Sequence, residues 1–171
     1  MTNNALEKDL PTPPDKLFDT LQEIDISYKI YEHEPVFTVS ESEKLDRDIP
    51  GTHCRNLFLR DKKKQNFLIV AANQTQIDLK KTQELIGCGR LSFGSPERLW
   101  EHLGIRPGSV CPFTAINDPN HHVQIILDKF MMDSDLVNYH PLDNSMTISI
   151  TPTDLLKFFD YTGHKPQILA F

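Results

Sequence analysis

Three short groups of residues in this chain combine side-chain types and spacing that could do chemistry. The first is Gly51-Thr52-His53-Cys54-Arg55-Asn56, which leads into the apolar run Leu57, Phe58 and Leu59; a polar tip then joins this run to a second one at residues 67–70. A cation placed where a buried strand begins must be solvated, paired or put to use. The amide beside it offers both a donor and an acceptor. The second group is Gly108-Ser109-Val110-Cys111-Pro112. Glycine permits an unusual dihedral or a close backbone approach, and proline stiffens the far end. Such a loop can aim consecutive N–H groups into a cleft, as a developing oxyanion requires. As a bare pattern it is also an ordinary turn. The third is His140, at the end of an expected strand and followed by Pro141, Leu142, Asp143 and Asn144. A histidine there is either a pocket residue or a hydrogen-bonded turn residue.

Other reactive side chains give weaker patterns. Cys54, Cys88 and Cys111 are odd in number and widely spaced, which indicates neither a disulfide framework nor a zinc knuckle. His121 and His122 follow Pro119 and Asn120 in an expected exposed turn, and His53 has no partner at ligand spacing. No metal site and no cofactor is expected. Cys111 with His140 would make a nucleophile pair if the two met; a buried Cys111 would instead be inert.

The elements that must position these residues follow from periodicity and punctuation. Apolar residues at 17, 18, 21 and 24, after Pro13 and Pro14, mark one face of a helix. A short strand is expected at 28–33. Ser40 and Glu43 have the spacing of a capping box opening a second helix. Paired strands are expected at 57–59 and 67–70, and a helix at 78–86 that stops at Gly87. Ser95, Pro96 and Gly104 bracket a further helix with cap, first-turn proline and terminal glycine. Strands at 123–127, 136–139 and 146–150 precede a last helix that starts at Thr153 and ends before Gly163. Helices interleave with strands, and several strands lie close enough for hairpins. The expected fold is therefore α/β, a single compact domain with a central mixed sheet flanked by helices.

A chain of 171 residues with 39% hydrophobic content suits one domain with a real core. No stretch approaches the ~20 apolar residues of a membrane helix. The start of the chain lacks the basic-then-apolar pattern of a secretory signal, so the expected address is cytoplasmic. A net charge of −6 argues against non-specific nucleic-acid binding, but the charge is uneven. Residues 51–90 carry eight Lys or Arg against three Asp or Glu, whereas residues 1–50 carry five against twelve. One locally positive region, with Arg60, Lys62, Lys63, Lys64, Lys80 and Lys81, could guide a polyanion to one face. Taken alone, the three lysines of the tip are also a solvated hairpin end.

Together and in order, the first group with its Leu-Phe-Leu-Arg-Asp-Lys-Lys continuation, then Arg90-Leu91-Ser92-Phe93-Gly94-Ser95-Pro96 with the residue 108–112 loop, then His140-Pro141-Leu142 with Asp154-Leu155-Leu156-Lys157-Phe158 resemble the YbaK/ProX family. These are aminoacyl-tRNA deacylases related to the editing insertion of bacterial prolyl-tRNA synthetase. The resemblance covers about residues 13–168 of a single domain, 1–171. It is strongest to the free-standing ProX/PrdX-type branch, associated with hydrolysis of Ala-tRNA(Pro). It implies a cleft for the aminoacyl-adenosine end, with the tRNA(Pro) acceptor end as partner and prolyl-tRNA synthetase as a further one.

By the same resemblance the family's catalytic lysine falls at Arg55, its Gly-x-x-x-Pro loop on Gly108 to Pro112, and its pocket residues on Asn56 and His140. The catalytic set is then Arg55, Gly108, Ser109, Val110 and Cys111, with Asn56, Pro112 and His140 binding substrate. Arg60, Lys62, Lys63, Lys64, Lys80 and Lys81 would meet the tRNA. Arginine in place of lysine cannot serve as a base. It leaves a positioned cation, or a module that keeps the fold and binds aminoacyl-tRNA or a synthetase without turnover.

Overall fold

The structure, a computed structural model, describes residues 9–171; the polar start of the chain, residues 1–8, lies outside them. The strands are β1 (Lys29–Glu32), β2 (Thr52–Arg60), β3 (Asn66–Ala72), β4 (Ser92–Phe93), β5 (Val123–Asp128), β6 (Val137–Tyr139), β7 (Met146–Ile150) and β8 (Gln167–Leu169). The helices are α1 (Pro14–Glu23), α2 (Val39–Asp48), α3 (Leu79–Ile86), α4 (Pro96–Leu103), α5 (Lys129–Met132) and α6 (Pro152–Thr162), with a 3-10 helix at Pro112–Asn117.

One sheet takes the order β1-β7-β6-β2-β3-β5-β8, and β4 pairs with β2 beside this path. It is mixed: β2 is antiparallel to β3, while β6 on β2, β5 on β3 and β8 on β5 are parallel. Every residue of β3 is buried, so the centre of the sheet is covered on both faces. On one face Leu68, Val70 and Ala72 pack with Leu17 and Leu21 of α1, Leu99 and Leu103 of α4, Phe113 of the 3-10 helix, and Phe158 and Phe159 of α6. On the other, Phe67 and Ile69 pack with Leu59, Leu91 and Ile126, closed by Leu79 and Ile86 of α3. The expected α/β domain with a helix-flanked mixed sheet is the fold observed.

Helix punctuation follows the sequence closely. Ser95 caps α4 by accepting from the Arg98 N–H, and Gly104 closes it with φ 56°. Gly87 and Gly163 end α3 and α6 in the same left-handed conformation. The second helix departs from expectation by two residues. Its cap is Thr38, which accepts from the Glu41 N–H and donates to the Glu41 carboxylate, so Thr38 and Glu41 stand where Ser40 and Glu43 were expected. Among the described residues no helix is long and apolar enough to cross a membrane.

Candidate active site

The cleft arises from a break in strand pairing. β6 runs beside β2 for only two residue pairs, Thr52 with Val137 and His53 with Asn138. β4 occupies the same edge of β2 only at Leu59 and Arg60. Between these points the edge of β2 has no strand partner, and β2 and β6 part around a narrow cleft. Cys54 and Asn56 of β2, Asn138 and Tyr139 of β6, and His140 just beyond it line one side; Ser42, Leu45 and Asp46 of α2 close the other. The cleft is small, about 50 Å³. Gly51 lets the chain enter it. Its φ is +109°, and a Cβ there would lie 2.8 Å from Asn138 Nδ2.

His140 is held in one tautomer. Its Nδ1 lies 2.8 Å from the Met146 carbonyl, so Nδ1 carries the hydrogen and Nε2 is left as an acceptor. Burial lowers its pKa, the Met146 bond opposes this, and nearby His33 lowers it again, with a net shift below the ordinary histidine value. The ring is therefore neutral at pH 7. Asn56 Oδ1 is buried without a hydrogen-bond partner. An orphaned acceptor in a cleft is what a bound donor would satisfy. The Cys54 thiol lies between β2 and β6, and burial pushes it up to about 12 despite the nearby Tyr139 hydroxyl and Asn138 amide. It is no nucleophile at neutral pH.

Across the cleft, the Asp46 carboxylate meets His53 Nδ1 at 3.1 Å and accepts from Asn73 Nδ2 at 3.2 Å. His53 Nε2 lies 2.8 Å from the Ile49 carbonyl. These contacts tie α2 to the ends of β2 and β3.

Arg55 points elsewhere. Neighbours in a strand face opposite sides, so Asn56 shares its face with Cys54 and Phe58, and Arg55 shares its face with Leu57. The guanidinium donates to the carbonyls of Ala72, Asn73 and Thr75 at 2.9, 2.9 and 2.6 Å. From the other side, Asp128 Oδ2 accepts from the Ala72 N–H and the Thr75 hydroxyl. The turn after β3 is thus gripped by a buried carboxylate and a guanidinium, and it carries Asn73 into the cleft wall.

A model of the aminoacyl-tRNA editing domain family matches residues 33–158. The chain belongs to this family. It is 40% identical over 145 residues to the prolyl-tRNA editing protein ProX of Acetoanaerobium sticklandii, covering 84% of this chain and 88% of that protein. It is 33% identical over 158 residues to the prolyl-tRNA synthetase associated domain-containing protein 1 of Danio rerio, covering 91% and 86%. A crystal structure described as a candidate trans-editing enzyme for prolyl tRNA synthetase superposes with a TM-score of 0.68 at 22% identity, covering 94% of this chain and 98% of that one. That likeness carries the fold.

Within this editing domain the sequence-expected site residues are partly gathered. Asn56 and His140 share the cleft; Arg55 and residues 108–112 do not line it. The loop stands behind the His140 turn, where the Cys111 thiol takes the backbone N–H of Leu142. Burial pushes this thiol too up to about 12. The Ser109 amide is engaged by the Arg106 carbonyl, and the Ser109 hydroxyl is buried without a partner. Arg60 and the exposed Lys62, Lys63 and Lys64 lie toward the far end of β2, where Arg60 is about 13 Å of strand beyond Asn56. Lys80 and Lys81 open α3, just after the turn that Arg55 grips, with their amides on the Asp78 cap. Asp46, Asn73, Asn138 and Thr147 of the cleft were not singled out from sequence. Asp46 is one of six acidic residues between 32 and 48, and only packing distinguishes it. Among the described residues no three His, Cys, Asp or Glu side chains gather to hold a metal ion.

Proposed function

We propose that this editing domain acts in trans, hydrolysing the ester of mischarged aminoacyl-tRNA, with Ala-tRNA(Pro) as its substrate. The relative named a prolyl-tRNA editing protein supports the choice of tRNA. The observation that carries the reading is the cleft itself. A narrow polar slot holds an orphaned buried amide oxygen and a neutral, single-tautomer histidine, and its one thiol is silenced by burial.

Such a site needs no side-chain nucleophile, because the aminoacyl ester is already activated. Water attacks the carbonyl carbon, the bond to the ribose oxygen breaks, and the ribose oxygen leaves with a proton derived from that water. The ribose hydroxyl beside the ester helps to seat the attacking water. Asn56 holds the aminoacyl end, and His140 with Tyr139 limits the side chain to a small one. Exclusion by size suits this task, since a pocket rejects a larger group more readily than one that merely lacks a methylene, worth ~1–3 kcal/mol. The loop of Gly108 to Pro112 is proposed to act from behind the cleft, steadying the turn after His140 through the Cys111 contact with the Leu142 N–H. Arg55 contributes by bracing the turn that carries Asn73, and Arg60, Lys62, Lys63, Lys64, Lys80 and Lys81 by attracting the acceptor stem. The proposed setting is the cytoplasm, beside prolyl-tRNA synthetase. Deacylation of Ala-tRNA(Pro) and Pro-tRNA(Pro) by the purified chain tests the reading. Loss of alanine with retention of proline is expected, and no hydrolysis above background would leave a binding module without turnover.

A further inference from the structure

We infer that Asp46 and Asn56 read the free α-ammonium group of the aminoacyl ester, so that the cleft accepts aminoacyl-tRNA and discriminates against esters whose amine is blocked, such as peptidyl-tRNA. The inference rests on the functional reading above and names the substrate group that the same cleft recognises.

Most donors around the cleft are already engaged within the protein. Asn138 Nδ2 donates to the Pro50 carbonyl at 3.1 Å, Asn73 Nδ2 to Asp46, and the Tyr139 hydroxyl to Met131 Sδ at 3.1 Å. His33 Nδ1 lies 2.8 Å from the Glu34 carbonyl and so carries a hydrogen; its Nε2 then accepts from the Thr147 hydroxyl at 2.9 Å. The Cys54 thiol donates to the Thr52 carbonyl, and His140 Nδ1 to Met146.

The capacity that remains is mostly that of acceptors. His140 Nε2 has its lone pair, Asn56 Oδ1 is buried and unpartnered, and the Asp46 carboxylate has about four lone-pair sites with two in contact. Asn56 Nδ2 is left for the ester oxygen, and Ser42 adds one hydroxyl at the α2 side. His53 Nδ1 lies 3.1 Å from Asp46 Oδ1, and the carboxylate keeps further lone-pair sites for an incoming ammonium. A cationic, three-donor group fits this arrangement, whereas an anionic one would face a carboxylate.

The test compares alanyl-tRNA with N-acetylalanyl-tRNA, using the wild-type chain and Asp46→Asn. The variant keeps the size of the side chain and can still bond Asn73. Wild type should favour the free amine by about 10–100-fold in kcat/KM, the factor expected for hydrogen bonds to a charged group. Asp46→Asn should lose most of that preference by slowing the alanyl ester, with the acetylated ester changed by no more than about 2-fold. A measurement without any variant gives the same reading: amide-linked alanyl-adenosine should bind wild type more tightly than its N-acetyl form. A preference that survives in Asp46→Asn, or equal slowing of both esters, overturns the inference; the latter would mean that Asp46 merely holds α2 over the cleft. Equal turnover of both esters by wild type overturns it too and leaves the deacylase reading intact. Turnover of neither ester removes both.

Discussion

Replacing Arg55 separates two roles for the cation at this position, bracing the protein or acting on the substrate. The guanidinium makes three hydrogen bonds, to the carbonyls of Ala72, Asn73 and Thr75. Bonds from a charged donor contribute about 1.5–3 kcal/mol each where buried. Arg55 is only half-buried and one of the three bonds is exposed, so solvent reduces the sum to about 2–3 kcal/mol. For a domain of this size that corresponds to a fall in Tm of about 5–10 °C in Arg55→Ala. The loosened turn carries Asn73, and through Asn73 the Asp46 contact, so turnover should fall by about 10-fold or more with the lost alignment. Arg55→Lys keeps the charge but presents its donors from one point. It should recover one or two of the three bonds and lie midway in both Tm and kcat. Urea unfolding and Ala-tRNA(Pro) deacylation on the same preparations give both quantities. An Arg55→Ala protein as stable as wild type yet devoid of activity would refute the bracing argument and put the guanidinium on the substrate.

Three further perturbations follow from the same structure. Gly51→Ala forces a Cβ to 2.8 Å from Asn138 Nδ2 at a φ of +109°; a loss of about 1–3 kcal/mol is expected in urea unfolding, and deacylation should fall with it because Asn138 lines the cleft. Cys111→Ala should keep deacylation within about 3-fold of wild type while costing about 1–2 kcal/mol of stability, since its thiol is pushed up to about 12 by burial and cannot act as a nucleophile; abolished turnover in a folded protein would restore a thiol mechanism. Asp118 titrates low: burial pushes its carboxyl up, but the His164 side chain and the amides of Val123 and His122 outweigh this and hold it below the ordinary value of 3.8. A depressed acid adds stability above its unfolded pKa and loses it as pH falls, so the Tm gap between wild type and Asp118→Asn should be widest at neutral pH and shrink below about pH 4; a gap constant from pH 7 to 3 would contradict this.

Some of this site was legible from residue types, and some depended on packing. His140 was placed at a strand end by the apolar run before it and the Pro141 after it, and it lies there, one residue beyond β6. Asn56 at the head of an apolar strand is likewise on the cleft. The alternation of β2 already implied that Arg55 and Asn56 face opposite sides, but motif similarity groups neighbours without regard to face. The partners of Arg55 lie 17 to 20 residues away in a turn, and no local pattern announces a carbonyl cage. Asp46 reaches His53 and Asn73 only because α2 folds over the sheet end, a tertiary event in a helix whose polar sequence gives little sign of a packed face. The cleft opens because β6 pairs with β2 for just two residues, and pairing length between parallel strands is not written in either strand. At the periphery, β4 and β8, of two and three residues, are too short to carry a periodic signal.

The most direct measurement is single-turnover deacylation of Ala-tRNA(Pro) by wild type and by Asn56→Ala, with Pro-tRNA(Pro) as the control substrate. The cleft-centred account predicts rapid loss of alanine with wild type, proline left in place, and a fall of about 10–100-fold in the variant, in which the buried amide is removed. Equal rates for wild type and a folded Asn56→Ala, or alanine loss no faster than in buffer, would contradict it.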